Sequence, residues 1–311
     1  MQRGDDGATD QADGLARGVQ GLARFFEAAR SDVVVVLGDR IEALAGALAA
    51  TTTGRAVAHL HGGDAAPGDF DDTLRHAITK LAHFHFTATK RSTRRVIRLG
   101  EDPRRVFWVG APGLDRLREI IAETPPIRAP SGLALVAYHA YGRSAAHEQR
   151  VASRVLAATA AAGLRRCVLC PNSDRGHDGV FAAIERHAER SRPGEVEVVK
   201  SLPRDAFLRR LLDADVLIGN SSAGIIEAPL AGTPTVNVGD RQRGREVGGR
   251  SVVHVAETRE AIDAGLARAL QLRPRRGGAT VYGAGDTGRQ VAEVLGTLEL
   301  TPELLHKTLT Y

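Results

Sequence analysis

Lysine is almost missing from this chain: only Lys80, Lys90, Lys200 and Lys307 occur, so arginine supplies nearly all the positive charge. A GC-rich coding sequence produces such a bias, which carries no functional information. Aromatic residues are also scarce, at 4%, and leave few platforms on which bases could stack. The net charge of +5 and the pI near 9.6 admit an anionic partner. Arginines alternate with acids instead of gathering in one block, so a phosphorylated small molecule is expected and nucleic acid is not. The sequence shows no run of about 18 apolar residues and no signal-peptide pattern, so no membrane contact and a cytoplasmic location are expected. Cysteine is limited to Cys167 and Cys170, a Cys-x-x-Cys inside an apolar run. A redox pair or half a zinc site would need further ligands or a helix beginning just after the first cysteine. Neither is visible, which favours two small residues in a buried strand, and no metal is expected.

What is present is an alternation of two periods. After a polar start over residues 1–12, expected to be loose, apolar positions recur at helical spacing from Gly14 to Ala29. The run Val33–Leu37 is continuous and β-branched, as suits a parallel strand buried on both faces, and it leads through Gly38-Asp39-Arg40 into a helical pattern. Strands are expected at 56–60, 84–87 and 106–109, with helices near 72–81 and 92–99. Three prolines within 123–130 mark a linker. The pattern then restarts, with strands at 133–137, 167–169, 196–199, 216–219, 235–238 and 252–254. Alternating strands and helices specify an α/β fold with parallel, doubly wound sheets, whose ligands lie at the carboxyl ends of strands. Two domains are expected, 1–124 and 131–311.

Several strand ends carry polar groups. Val216–Gly219 runs into Asn220-Ser221-Ser222 and then a helix, a junction where free N–H groups, the helix dipole and two hydroxyls can hold a diphosphate. Glu227, one to two turns further on, can accept hydrogen bonds from ribose hydroxyls. The competing reading is an ordinary N-cap made by Asn220 or Ser221. The loop Gly239–Arg245 places Arg241, Arg243 and Arg245 at another strand end, either as additional anion ligands or as a solvated loop. Asp39 sits where a buried strand ends, as a catalytic carboxylate or as the cap of the helix that follows. His61, Asp64, Asp71 and Asp72 bring more titratable groups to the next strand end, although Asp72 can equally cap its helix with Arg75 as its i+3 partner. His139 follows the first strand of the second half, where a lone histidine can be structural or catalytic. His83 and His85 lie on an apolar segment and are expected to be packed and hydrogen-bonded.

Four segments, VVVVLGDRIEALAGALAA, HLHGGDAAPGDFDDTLRHAITKLAHFHF, LGEDPRRVFWVGAPGLD and IGNSSAGIIEAPLAGTPTVNVGDRQRGRE, closely resemble in order and spacing the hydrolysing UDP-N-acetylglucosamine 2-epimerases. The resemblance runs over residues 15–290, by rough limits. It implies the glycosyltransferase B architecture, two Rossmann-like domains facing a cleft, and UDP-GlcNAc as ligand. It implies UDP binding through Asn220, Ser221, Ser222, Gly224, Glu227 and Arg241, and catalysis through Asp39, Asp71 and His139, with His61 at a position that is a carboxylate in some relatives. Asp64, Asp72 and Arg75 would face the sugar. The implied reaction removes the C2 proton and expels UDP to give a 2-acetamidoglucal, to which water adds with inversion at C2, and no cofactor takes part. A homo-oligomer, dimer or tetramer, is expected. Family members begin with a further strand and a glycine-arginine loop, so roughly 70 residues of the first domain are expected to be missing here, leaving Val33–Leu37 at an unpaired edge. The non-hydrolysing epimerases, which return UDP to the glucal, are the nearest alternative, followed by a binding protein without turnover. Asp64 stands in place of a more usual glutamate, and Ala140 in place of a proline.

Overall fold

The computed structural model describes residues 8–65, 71–124, 130–248, 250–272, 276–308 and 310. Two compact units emerge, one of residues 1–111 and 286–311 and one of residues 112–285. The proline-rich segment separates the two sheets, but packing places residues 112–124 with the second unit and the last residues with the first.

The first unit opens with α1 (Ala8–Ala28), which starts earlier than the apolar periodicity from Gly14 implied and takes in residues expected to be loose. Parallel strands β1 (Val33–Leu37), β2 (Ala56–Leu60), β3 (Phe84–Thr87) and β4 (Val106–Trp108) follow in spatial order, with α2 (Ile41–Thr52), α3 (Asp71–Leu81) and α4 (Lys90–Arg98) between them. Among the described residues β1 pairs only with β2, in the register Val33 to Ala56 through Leu37 to Leu60. Val34 and Val36 are buried against α1 and α2, whereas Val35 and Leu37 on the opposite face are 50% and 56% exposed. The expectation of burial on both faces is therefore corrected. A continuous apolar run shows that a strand could be covered twice, but on that second face only Val33 packs, against the cluster of Phe84 and Phe86, and no described element covers Val35 and Leu37.

The second unit begins with α5 (Asp115–Glu123) and holds six parallel strands: β5 (Leu133–Ala137), β6 (Arg165–Leu169), β7 (Val196–Val199), β8 (Val216–Gly219), β9 (Thr235–Val238) and β10 (Val252–Val255). Their order is β10-β9-β8-β5-β6-β7, with α6 (Ala145–Ala161), α7 (His177–Glu189), α8 (Arg204–Asp213), α9 (Ala223–Ala231) and α10 (Arg259–Gln271) as connections. The chain returns to the first unit as α11 (Thr287–Gly296) and α12 (Pro302–Leu305), whose Val291, Val294, Leu295 and Leu304 pack on the same cluster as Phe84 and Phe86. Burying each of those phenylalanines contributes about 1.5–3 kcal/mol. Cys167 is buried in β6 and Cys170 half-buried just after it; burial pushes both thiols up, away from the reactive range. His83 and His85 are buried as read: His83 Nδ1 accepts from the Val57 N–H at 3.0 Å, and His85 meets Glu101 at 3.0 Å.

In the second sheet the direction of strand addition reverses between β5 and β8, the adjacent pair from which the chain winds outward both ways. Parallel sheets open a crevice at the carboxyl ends of such a pair, because the following loops leave on opposite sides. His139 and Asn220 sit there. No helix among the described residues is long and apolar enough to cross a membrane.

Candidate functional site

At the β8 end the chain turns through Gly219, whose φ of +145° is open to glycine and not to other residues. An added Cβ would lie 2.1 Å from the Ala137 carbonyl oxygen, so β5 and β8 approach too closely here for any side chain. Asn220 follows, fully buried, and its amide clasps the backbone of His139: Oδ1 accepts from the His139 N–H at 2.7 Å and Nδ2 donates to the His139 carbonyl at 2.8 Å. The Asn220 carbonyl in turn accepts from Arg241 at 3.1 Å and Gln242 at 2.8 Å. Asn220 thus ties three loops together.

α9 starts immediately afterwards. Ser222 occupies the cap position but makes no capping hydrogen bond, and Ser221 accepts weakly from the Ala223 N–H at 3.4 Å. Among the described residues, the N–H groups of Ser221 and Ser222 and the Ser222 hydroxyl have no protein partner. Beyond that long Ser221 bond, this junction makes no ordinary N-cap. It presents donors at the positive end of a helix dipole, an arrangement suited to an anion. Gly224 lets the helix lie against β9, since a Cβ would come within 2.6 Å of the Thr235 methyl group. Glu227, 9% exposed, is oriented by Arg204 at 2.8 Å, and Arg204 also donates to the Gly113 carbonyl at 2.7 Å. Gly232, with φ +71°, ends the helix.

His139 is only partly buried, but desolvation, then the nearby Arg241 charge, lowers its pKa to about 4, with Asp174 opposing. Its Nδ1 accepts from the Asn172 N–H at 3.3 Å. The neutral ring must then carry its proton on Nε2, making that atom a donor.

The first unit has its own polar cluster. Asp39 does not cap α2: Arg40 occupies the cap position, and the Asp39 carboxylate is bonded to the Arg75 guanidinium. Arg75, almost wholly buried, also binds the Asp72 carboxylate and donates to the Asp64 carbonyl at 2.9 Å. One guanidinium from α3 thereby fixes groups from the β1, β2 and α3 ends. His61 holds φ +63°, a left-handed conformation that costs a non-glycine residue about 1–3 kcal/mol. Its Nδ1 lies 2.9 Å from Asp64 Oδ2, while Asp64 Oδ1 accepts from the Ser92 hydroxyl at 2.7 Å. In the neutral ring the proton then lies on Nδ1, donated to the carboxylate, and Nε2 keeps its lone pair. Gly63 makes this possible, because a Cβ would sit 2.5 Å from the Ser92 carbonyl oxygen. Asp71 opens α3, and its side chain lies outside the described residues.

The structure thus groups Asn220, Ser221, Ser222, Arg241 and His139 at one junction, with Gly224 and Glu227 on the helix that leaves it. Asp39, Asp64, Asp72 and Arg75 form another group, with His61 attached through Asp64. Sequence reading did not find Arg204, Ser92, Asn172 or Gln242. Gln242 lies between Arg241 and Arg243, in the last of the four family-like segments. The others bond to groups far away in sequence, and no local pattern marks them.

The family model described as UDP-N-acetylglucosamine 2-epimerase matches residues 3–296. The chain is 36% identical over 310 residues to the UDP-N,N'-diacetylbacillosamine 2-epimerase (hydrolyzing) of Legionella pneumophila, an alignment covering 97% of this chain and 81% of that protein. It is 31% identical over 252 residues to the UDP-N-acetylglucosamine 2-epimerase of Neisseria meningitidis, covering 78% of this chain and 65% of the relative. Among solved structures, the UDP-GlcNAc 2-epimerase from Neisseria meningitidis bound to UDP-GlcNAc superposes with a TM-score of 0.72 at 16% identity, over 91% of this chain and 81% of that one. The fold is shared.

Proposed function

The chain belongs to the UDP-N-acetylglucosamine 2-epimerase family, and we propose that it is a hydrolysing 2-epimerase that converts a UDP-linked 2-acetamido sugar into UDP and the free C2-inverted sugar. The observation that carries this reading is the open β8–α9 junction, where uncapped N–H groups and the Ser222 hydroxyl await an anion. A leaving diphosphate gains negative charge as the C1–O bond breaks, and fixed donors at that place favour the transition state over the ground state.

The hydrogen bonds divide the remaining work. In the first step the C2–H bond breaks, its proton goes to a base, and the electron pair forms the C1–C2 double bond as UDP departs. In the second, water adds its oxygen to C1 and C2 receives a proton on the opposite face. His61, with Nε2 unprotonated and Nδ1 held by Asp64, has the tautomer a base requires. His139 has the opposite tautomer, so Nε2–H serves as a donor to the departing phosphate oxygen. Asp39 and Asp72, both tied to Arg75, are assigned to sugar hydroxyls rather than to proton abstraction. Asp71 retains an expected catalytic role, and a dimer or tetramer remains the expected assembly. Asn220 is assigned to positioning, because both ends of its amide are already engaged.

Incubation with UDP-N-acetylglucosamine and, separately, UDP-N,N'-diacetylbacillosamine in D2O tests this. The second substrate is included because the relative aligned over 97% of the chain carries it in its name. Free UDP and a free sugar with deuterium at C2 are expected from at least one. A UDP-linked C2 epimer as the sole product would assign the non-hydrolysing reaction, and UDP binding without deuterium incorporation would leave a binding protein.

A further inference from the structure

Three arginines at 241, 243 and 245 invite assignment to one phosphate site, but the structure separates them. Arg241 turns to the Asn220 carbonyl at the β8 end. Arg243 and Arg245 instead line a cavity of about 630 Å³ at the carboxyl ends of β9 and β10. Arg143, from the loop after β5, forms another part of its wall, together with Asn237, Gln242 and His254. Neither Ser221, Ser222, Glu227 nor His139 borders it, so it is not the nucleotide junction under another description.

The chemistry of the lining is specific. Arg143, Arg243 and Arg245 face two carboxylates, Asp240 and Glu257. Glu257 is already committed: it bonds Arg143 at 2.7 Å, His147 at 2.9 Å and the Tyr141 hydroxyl at 3.2 Å. Gly239, at φ +73°, allows the loop to pass this carboxylate, since an added Cβ would lie 2.6 Å from Glu257 Oε1. Glu257 therefore acts as a scaffold that aims Arg143. Asn237 and Gln242 are 2% and 4% exposed, and each has a side-chain carbonyl oxygen without a hydrogen-bond partner. Their amide nitrogens are engaged, that of Asn237 with Gly239 and His254 and that of Gln242 with Asn220. An unmet buried acceptor is costly, so two in one cavity wall point to an occupant that donates. Guanidinium groups pair with planar or tetrahedral oxyanions, and the volume lies within the range of small-molecule sites.

We infer that this cavity is a second ligand site, for a small sugar-like anion whose phosphate or carboxylate meets the arginines and whose hydroxyl or amide N–H groups meet Asn237 and Gln242. It stands on its own geometry and does not depend on which reaction the first site performs. The test is calorimetric titration of the full-length chain, saturated with UDP, using glucose 6-phosphate in one arm and glucuronate in the other. The expected result is one equivalent bound per chain in at least one arm. The affinity should fall at least tenfold in both Arg243→Ala and Asn237→Leu, while UDP affinity stays within twofold in Arg243→Ala. Arg243 is exposed, so its replacement does not threaten folding, and a thermal melt checks Asn237→Leu. Absence of heat in both arms, displacement of the probe by UDP, or unchanged affinity in Arg243→Ala would overturn the inference. A chain that takes up the probe but not UDP would sink the functional proposal and leave this one standing.

Discussion

Asn220 is the residue whose removal should reveal how the β8–α9 junction is held. Replacing it with alanine strips partners from the His139 N–H and carbonyl, which it now holds at 2.7 and 2.8 Å. Each unmet backbone group costs about 1–3 kcal/mol. His139 is only partly buried and water recovers part of that, so the expected loss of stability is about 2–4 kcal/mol. The β5 end then loosens against the β8 end, and UDP affinity should fall at least tenfold, about 1.4 kcal/mol. Asn220→Asp sharpens the test. It is nearly the same shape and keeps the acceptor for the His139 N–H, but it sets a carboxylate oxygen against the His139 carbonyl. It should therefore be no better than alanine. Urea unfolding gives the stability and calorimetric titration gives the UDP affinity. Wild-type behaviour of Asn220→Asp in both would refute the hydrogen-bond accounting, as would an alanine variant within about 0.5 kcal/mol of the parent, the scatter of ordinary surface changes.

Asp64→Asn should lower turnover by about 10²–10⁴-fold with UDP affinity unchanged, because an amide N–H facing His61 Nδ1 would move the imidazole proton to Nε2 and remove the base; steady-state kinetics with a UDP titration checks it. Arg75→Met should cost about 1–3 kcal/mol in chemical unfolding, since it leaves the Asp64 carbonyl, Asp39 and Asp72 without their shared guanidinium, while the two carboxylates, 22% and 38% exposed, keep part of their hydration; a loss within about 0.5 kcal/mol, the scatter of surface changes, would contradict the argument. His59 is held by burial at a pKa of about 4, with the hydrogen bond to the Gly38 carbonyl opposing and neighbouring histidines adding to the shift. Its folded pKa lies below the ordinary 6.5, so its neutral form is favoured in the fold and the unfolded chain takes up the proton first. Stability should be insensitive to this group above pH 6.5 and decline as pH falls towards 4, by about 3 kcal/mol in all. Urea midpoints across that range should show the decline, and a smaller one in His59→Gln.

What could be read from the sequence was whatever a short stretch of chain decides. The passage from an apolar run through small polar residues into a helix at Gly219–Ala223 is local, so the strand, the helix and the donor-rich turn were all visible as a pattern. The alternation of strands and helices gave both sheets for the same reason. What could not be read was pairing at a distance. Asp39 looked equally like a helix cap and a catalytic carboxylate because the answer lies 36 positions away, in Arg75 on α3. The two histidines show this most clearly. His61 and His139 each follow a buried strand, and nothing beside them in sequence assigns a proton to either ring nitrogen. Asp64, three residues on, accepts at Nδ1 of one; the Asn172 N–H, 33 positions away, donates to Nδ1 of the other. A carboxylate against one ring and an N–H against the other suffice to give identical neutral side chains opposite tautomers, lone pair outward on His61 and proton outward on His139. On the proposed mechanism, the division of labour between base and donor resides in second partners that the fold supplies, and exchanging those partners, rather than the histidines, is the more direct way to test it.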